Sequence, residues 1–354
     1  MDKVTQLKDY FPTIRERKEV LKEIREKKEL EKLFNEWSRS QQEEFLDYCC
    51  GNRGMRILYD SFFKEVMNVE YDHSRLEDFL CTVLKKKVKI VKILPNDSTR
   101  IAEETTLLIT DIVVELEDGA LANVEIQKIG YMFPGPRCAC YSADLLLRQY
   151  KRVRDRKKEN FAYKYIRDVY LIVIYEKSPM EFMDYPDKYY HNGRYVFDSG
   201  LKMNMLQNYI MVPLDIFRKC MQNKAIENRL EAWLTFLSED RPEKIIELIT
   251  EYPQFKSMYQ TLYDMCLNME RVMRMFSREL AEMDRNTVKL MIEENQRIID
   301  EQQKKMLWQQ EQLDQKQEQL DQKQEQLSKT QEKLLESEAQ IALLLKELEE
   351  YRRK

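Results

Sequence analysis

The segment from Thr105 to Gln127, TTLLITDIVVELEDGALANVEIQ, constrains the fold of this chain more than any other. Two strand-like runs, DIVVELE and ALANVEIQ, flank Asp118-Gly119, a pair that favours a β-hairpin because both residues tolerate a positive φ. Side chains two positions apart on a strand share a face, so we expect Glu125 and Gln127 to point the same way. With Asp111 on the neighbouring strand, their oxygen atoms can converge on one divalent cation.

Composition narrows the class of protein. The chain has 354 residues, 43% of them hydrophobic and 34% charged, with 7 Gly and 9 Pro, which favours a packed domain with long solvated helices. The net charge of −4 gives no global signal for nucleic acid, so any such surface must be local. The 7 cysteines form no CxxC motif and only 2 histidines are present, which predicts reduced thiols in a cytoplasmic protein rather than a zinc site. No apolar stretch approaches the ~18 residues of a membrane span.

The strands on either side of the hairpin indicate a mixed sheet. The run VKIVKIL, 88–94, predicts a strand that ends at Pro95-Asn96-Asp97. The continuous apolar run DVYLIVIYE, which begins at Asp168, is typical of a central strand covered on both faces. The segments YVFDSGLKM and NYIMVPLD predict short edge strands, the second ending at Pro213. Since helical patterns precede and follow these strands, the sequence predicts an α/β fold built around a mixed sheet.

A basic helix follows the loop GYMFPGP. Its apolar positions recur at helical spacing and predict a face that packs on the sheet: Ala139, Ala143, Leu146, Tyr150 and Val153. The opposite face is predicted to carry Arg137, Tyr141, Asp144, Arg148, Lys151, Arg152 and Asp155. From Arg137 to Arg167 the chain has ten Lys/Arg and three Asp/Glu. This charge is consistent with phosphate-backbone binding and equally with an ordinary solvated face.

Two helical segments precede the sheet. Residues 12–48 are predicted to be either a basic arm or a solvated helix packed on the core. In the segment SRLEDFLCTVL, Ser74 and Glu77 have the spacing of a capping box, and Glu77 alternatively faces the hairpin site.

The C-terminal part is of low complexity. Apolar residues keep a strict seven-residue step, which predicts a left-handed coiled coil: Leu313, Leu320, Leu327, Leu334, Ile341 and Leu348. If these are d positions, the a positions are Gln317, Gln324, Gln331 and Glu338. The alternatives are a dimer and a marginal solvated helix.

Five segments, taken in chain order, resemble those of a known family. They are the LPND turn, the hairpin with its acid and Glu-x-Gln, the GYMFPGPRCACYSADLLLRQYKRVR helix, FDSGLKMNMLQNYIMVPLDIF and LEAWLTFLSED. They are similar to the PD-(D/E)XK nuclease superfamily, and within it to the recombination-promoting nuclease and transposase branch, which often has Glu-x-Gln in place of Glu-x-Lys. The resemblance covers about 56–240. It implies a restriction-endonuclease-like αβββαβ core.

The resemblance also implies roles for residues. Asp111 and Glu125 would be metal-binding carboxylates, with the Ile126 carbonyl and Glu77 as further ligands. Gln127 occupies the position of the usual catalytic lysine. The basic helix would hold nucleic acid through Arg137, Tyr141 and Arg148, with Gln149 also matching the family and with Lys151 and Arg152 beside them. The implied cofactor is Mg²⁺, with Mn²⁺ as the alternative, and the implied partner is DNA, with RNA as the alternative.

The departure at Gln127 has a chemical consequence, since an amide is neither a cation nor a general base. Either the metal alone lowers the pKa of the attacking water, or Arg137 or Arg148 supplies the charge. Lys128 is adjacent but is expected to point to the other face of its strand.

The predicted organisation is a charged helical N-terminal arm at 1–55, a nuclease core at 56–220, a helical extension at 221–285 and a coiled coil at 286–354. The favoured function is metal-dependent hydrolysis of DNA phosphodiesters. The alternatives are a nuclease fold that only binds nucleic acid, and a coiled-coil interaction protein. A homodimer through the C-terminal coiled coil and the absence of a membrane partner are also predicted.

Overall fold

The computed structural model describes residues 6–67, 72–94, 112–130 and 133–352. Asp111 lies outside these described residues, as does the predicted turn at 95–97. The chain divides into two compact units, 1–290 and 291–354. No helix of the described part is long and apolar enough to cross a membrane.

A six-stranded mixed sheet lies at the centre of the first unit. Its strand order is β1-β2-β3-β4-β6-β5. The strands are β1 (Ile90–Leu94), β2 (Ile112–Leu116), β3 (Leu121–Gln127), β4 (Val169–Tyr175), β5 (His191–Arg194) and β6 (Gln207–Pro213). Strands β1, β2 and β3 pair antiparallel, β3, β4 and β6 pair parallel, and β5 is antiparallel to β6.

The predicted hairpin is confirmed as β2 and β3. The two strands pair with Ile112 opposite Val124 and Glu115 opposite Leu121. Gly119 has a φ of 83°, and Leu116 accepts its N–H at 2.9 Å. Because the Leu116 N–H also donates to the Ala120 carbonyl at 2.9 Å, three residues, 117–119, form the loop between this pair, with a left-handed glycine in the last position. The sequence suggested a two-residue Asp-Gly turn instead.

The prediction of a strand at YVFDSGLKM is wrong. A turn in which the Gly200 N–H binds the Phe197 carbonyl interrupts the run, and Gly200 has a φ of 76°. The edge strand β5 lies earlier, at His191–Arg194. The second predicted edge strand is β6, which ends at Pro213 as expected but lies inside the sheet between β4 and β5.

Helices cover both faces of the sheet. They are α1 (Leu7–Tyr10), α2 (Arg17–Glu26), α3 (Lys28–Glu36), α4 (Arg39–Cys49), α5 (Asp60–Met67), α6 (Ser74–Leu84), α7 (Pro134–Lys157), α8 (Leu214–Cys220), α9 (Arg229–Ser238), α10 (Pro242–Glu251), α11 (Gln254–Met265) and α12 (Met269–Arg352). The succession α6, β1, β2, β3, α7, β4 is the predicted αβββαβ order. The predicted fold class is therefore confirmed.

The two faces of the sheet differ in what covers them. Ile112, Val114 and Val124 point into a large core formed with the helices before β1 and after β6. On the other face, α7 packs on β3, β4 and β6. This separation assigns the odd-numbered side chains of β3, including Glu125 and Gln127, to the face under α7.

The N-terminal segment packs on the core, which was one of the two alternatives. Val20, Ile24, Leu30 and Phe45 are buried in the same large cluster as the sheet. Two of its basic residues form local ion pairs: Arg15 pairs with Glu23 at 2.6 Å, and Arg17 with Glu43 at 2.5 Å.

Candidate functional site

The site is built on the C-terminal end of β3. Glu125 and Gln127 lie on the same face of the strand, and both are buried. The Gln127 Nε2 donates a hydrogen bond to the Glu125 Oε1 at 2.8 Å. The neighbouring parallel strand β4 places Val173 beside Glu125 and Tyr175 beside Gln127. The convergence of these two side chains, expected from their spacing, is therefore present.

The first turns of α7 close this face of the sheet. Cys138 and Tyr141 pack in an apolar cluster with Leu171, Val173 and Tyr175, and the Cys138 Sγ lies 3.6 Å from the Tyr175 Oη. Burial raises the pKa of the Cys138 thiol to about 11; the contact with Tyr175 opposes this increase, and the Glu125 carboxylate adds to it. Burial also raises the pKa of the Tyr175 phenol. Both the thiol and the phenol are therefore neutral at pH 7, and this side of Glu125 is lined by uncharged groups.

In the described ranges, two buried oxygen atoms on the same strand face as Glu125 have no protein donor. Within the part of the chain that the structure describes, neither the Gln127 Oε1 nor the Asn123 Oδ1 accepts a hydrogen bond. Asn123, Glu125 and Gln127 alternate along β3 on the same face. A buried acceptor without a donor is costly, and a cation or a water would satisfy it. Because Mg²⁺ prefers carboxylate and amide oxygens, this donor set fits a hard divalent cation.

The second predicted carboxylate, Asp111, lies outside the described residues. It precedes Ile112, the first residue of β2, which pairs with Val124. Among residues 6–67, 72–94, 112–130 and 133–352, no three His, Cys, Asp or Glu side chains come together in a metal-binding group. The side chain of Ile126, whose carbonyl was the further predicted ligand, points into the large core on the opposite face.

Glu77 is engaged at the start of β1. It lies on α6, whose buried side chains Leu76 and Phe79 belong to the large core. The Glu77 Oε1 accepts the backbone N–H of Ile90 at 2.7 Å. The predicted capping box is therefore not formed: α6 begins after His73, and Glu77 instead holds the start of β1.

Lys128 lies on the opposite face, as the strand alternation predicted. Its Nζ binds the Glu279 Oε2 of α12 at 2.5 Å and lies 4.9 Å from the centre of the Tyr59 ring. Burial alone would raise the pKa of the Glu279 carboxyl, but the charge of Lys128 and hydrogen bonds from Lys128 and Ser61 hold it below its usual value. Lys128 is therefore fixed in a structural ion pair.

The prediction of which face of α7 contacts the sheet is wrong. Ala139 and Ala143 are exposed, whereas the buried residues of α7 are Pro134, Cys138, Tyr141, Ser142, Leu145 and Gln149. The physical reason is packing: Cys138 and Tyr141 fill an apolar cluster with the side chains of β4, and Leu145 fills a second one with Val113 and Leu121. Alanine side chains are too small to fill this space.

Several basic residues of α7 form ion pairs with nearby carboxylates. Arg152 and Arg156 both bind Glu115, at 2.5 and 2.6 Å. Burial alone would raise the pKa of Glu115, but these two hydrogen-bonded guanidinium groups hold it below its usual value. Arg148 pairs with Asp144 at 2.7 Å. Arg137 is half-buried and Lys151 is exposed.

Sequence reasoning missed Glu115, which neutralises part of the basic helix. Gln149, which matched the family by resemblance, ties α7 to the hairpin loop through the Gly119 carbonyl at 2.9 Å and to the segment before β4 through the Arg167 N–H at 2.8 Å. Asn123 was also missed as a site residue. Its spacing of two from Glu125 was the available signal, because strand alternation places both on one face.

The αβββαβ order and the buried Glu-x-Gln of β3 under α7 define a nuclease-type α/β core. A family model described as PD-(D/E)XK nuclease family transposase matches residues 57–293. The chain belongs to this family, as the resemblance of its motifs indicated. Searches of curated proteins and of solved structures gave no significant match.

Proposed function

We propose that the protein is a metal-dependent DNA endonuclease in which Asp111 and Glu125 hold Mg²⁺ or Mn²⁺. The observation that carries this proposal is the buried Glu125 carboxylate beside the donor-free oxygens of Gln127 and Asn123. When bound, the cation supplies Lewis acidity that activates water and stabilises the departing oxygen. The carbonyl of Ile126 and the Glu77 carboxylate are further proposed ligands, and the Glu77 Oε1 already accepts the Ile90 N–H.

The chain's own residues prepare the site for this reaction. Gln127 orients the Glu125 carboxylate through its amide hydrogen bond, and it takes the place of a cation without supplying charge. Cys138 and Tyr175 exclude water from one side of the carboxylate, which strengthens its attraction for a cation. We propose that positive charge for the phosphodiester comes from Arg137 and Lys151 along α7, with Tyr141 fixing the helix in place. Arg148 and Arg152 would add charge by leaving Asp144 and Glu115.

Metal removal tests this function. Purified protein is expected to nick supercoiled plasmid DNA in Mg²⁺ or Mn²⁺, to stop when EDTA is added, and to resume when the metal is restored. Asp111→Ala is expected to remove the activity, because one metal-binding carboxylate is removed. Cleavage that persists in EDTA would exclude the mechanism. Salt-dependent DNA binding without cleavage in any of several divalent ions would identify a binding protein with the nuclease fold.

We also propose that the second unit associates with a second copy of the chain. The seven-residue step seen from Leu313 to Leu348 extends back to Ile292, Ile299 and Met306, and all of these side chains are exposed. The intervening a positions are Gln from Gln296 to Gln331. An apolar seam alternating with amide layers favours pairing with an identical helix, because polar a positions set the register of coiled coils.

Charge determines the direction of pairing. The e positions carry Asp314 and Asp321, and the g positions carry Lys316 and Lys323. In a parallel dimer, Lys316 of one copy faces Asp321 of the other, whereas an antiparallel dimer would bring like charges together. The parallel arrangement is therefore favoured.

Charge reversal on the seam tests the dimer. Lys316→Glu is expected to weaken self-association of the full chain roughly tenfold, since two symmetric attractions become repulsions. Lys316→Glu combined with Asp321→Lys is expected to restore it. Sedimentation equilibrium measures both. Lys329→Glu is the control, because Lys329 lies at an outward f position and pairs with Glu325 of its own helix. A monomeric parent chain, or equal effects of Lys316→Glu and Lys329→Glu, would contradict the proposal.

A further inference from the structure

An aromatic and basic surface lies at the far end of α7. We define this aromatic–basic patch as Tyr150, Arg154, Lys157, Phe161, Tyr163, Lys164 and Tyr165. It is formed by the last turns of α7 and by two short 3₁₀ turns, Lys158–Asn160 and Tyr163–Tyr165. It is separate from Glu125, which lies under the beginning of the same helix.

Three rings of the patch form a fixed stack that is open to solvent. The Tyr163 ring lies nearly parallel to that of Tyr150, with centres 6.3 Å apart and an angle of 22°. Phe161 packs edge-on against both rings, with centres 5.4 Å away. Tyr163 is nevertheless 75% exposed. A supported aromatic ring left in water provides a platform on which another flat group can stack.

Three cations of the patch contact its tyrosines. Arg154 donates a hydrogen bond to the Tyr150 Oη at 3.0 Å, and the Nζ atoms of Lys157 and Lys164 lie 4.8 and 5.4 Å from the centre of the Tyr165 ring. Within the described part of the chain, none of these three cations pairs with a carboxylate. Arg152 and Arg156, two positions before and after Arg154 in the helix, are instead bound to Glu115. The positive charge of the patch can therefore attract an anionic ligand.

We propose that the aromatic–basic patch binds an unpaired stretch of a DNA strand and anchors it to the enzyme. This inference rests on the proposed nuclease function and adds a second contact for its substrate. A base stacks on Tyr163, and the adjoining phosphates contact Arg154, Lys157 and Lys164. An unpaired strand is favoured over a duplex because only a base with a free face can stack on an exposed ring.

The distance to Glu125 sets the length of strand involved. Cys138 of α7 lies against Tyr175, which pairs with Gln127, and Tyr150 is twelve positions further along the helix. At the helical rise, this separation is about 18 Å. Phosphates of a stacked, duplex-like strand are about 3.4 Å apart, so the interval corresponds to roughly five nucleotides of such a strand and to fewer of an extended one. Strands much shorter than this can occupy only one of the two sites.

Binding of a fluorescent single-stranded oligodeoxynucleotide, measured by anisotropy in EDTA so that no cleavage occurs, tests the patch. Tyr163→Ala is expected to raise the Kd by about 5- to 100-fold, since the stacking of one base is removed. Tyr163→Phe is expected to bind like the parent, because the ring is retained. A blunt duplex of the same sequence is expected to show little change with either variant. Tyr185→Ala is the control, because Tyr185 is also exposed but does not belong to the patch.

The cations are tested by salt dependence. Replacing Lys157 and Lys164 together by Gln is expected to reduce the slope of log K against log salt by about 1.4, because each phosphate of a single strand that a lysine neutralises contributes about 0.7. Unchanged single-strand binding by Tyr163→Ala, or an equal reduction for the duplex, would overturn the patch. Because binding is measured without cleavage, Tyr163-dependent binding by a protein that does not cut DNA would reject the nuclease and retain the patch. Metal-dependent cleavage by a protein whose binding does not depend on Tyr163 would retain the nuclease and reject the patch.

Discussion

Glu125→Gln is expected to lower metal-dependent DNA cleavage by about 10³-fold or more while leaving the fold intact. The substitution keeps the size and shape of the side chain and still offers the Oε1 that accepts the Gln127 amide hydrogen bond. It removes the negative charge that the proposed site supplies to a divalent cation. A decrease of this size corresponds to about 4 kcal/mol of transition-state stabilisation, as expected for a group acting directly at the reacting centre.

A readout independent of cleavage separates the metal site from other causes. Mg²⁺ is expected to raise the Tm of the parent, since a ligand that binds only the folded state stabilises it, and to leave the Tm of Glu125→Gln unchanged. Glu117→Gln is the matched control: Glu117 is exposed on the loop of the same hairpin. If Glu125→Gln cleaves as well as this control, Glu125 is not a metal ligand. If the Mg²⁺ shift persists in the variant, the cation binds elsewhere.

The central strands could be predicted because their signals are local. Period-two alternation and the Asp-Gly pair define β2 and β3, and a continuous apolar run defines β4. The same alternation correctly separated Gln127 from Lys128, since a strand has only two faces. Convergence of Glu125 with Gln127 follows from the same rule. These features needed only neighbours in sequence.

The orientation of α7 and the partner of Lys128 could not be predicted in this way. On α7, the apolar residues from Ala139 to Val153 at helical spacing suggested the inner face. Instead, Cys138, Tyr141 and Leu145 pack on the sheet, and Glu115 binds Arg152 and Arg156. That arrangement is visible only once strand and helix are placed together. Likewise, Glu279 is 151 positions from Lys128 in the chain, and nothing in either local sequence identifies the other. Glu77 illustrates the same limit, because its spacing from Ser74 indicated a cap while the start of β1 competes for its carboxylate.

The buried ion pair between Lys128 and Glu279 leads to the largest expected effect on stability. Lys128→Met is expected to lower the free energy of unfolding by about 3–5 kcal/mol at pH 7, because it leaves a buried carboxylate without its cation. Glu279 is 1% exposed, and its other oxygen accepts the N–H and Oγ–H of Ser61. Lys128→Met combined with Glu279→Gln is expected to recover most of this stability, since the amide oxygen still serves Ser61 and no charge remains buried. Urea denaturation measures all three proteins.

The pH dependence of this effect has a definite sign. In the parent, the charge of Lys128 holds the pKa of Glu279 below its usual value of 4.5 against the opposing effect of burial. The pair therefore contributes its full stability above about pH 4.5, and the contribution is lost as the pH falls through the pKa of Glu279 in the folded state. In Lys128→Met, protonation of Glu279 relieves the uncompensated charge, so the difference between parent and variant is expected to shrink in acid. Lys329→Met, which breaks an exposed pair with Glu325, is the control and is expected to cost less than about 0.5 kcal/mol. Equal costs for the two lysines, or a difference that grows in acid, would show that Lys128 does not stabilise the strand next to Gln127 through Glu279.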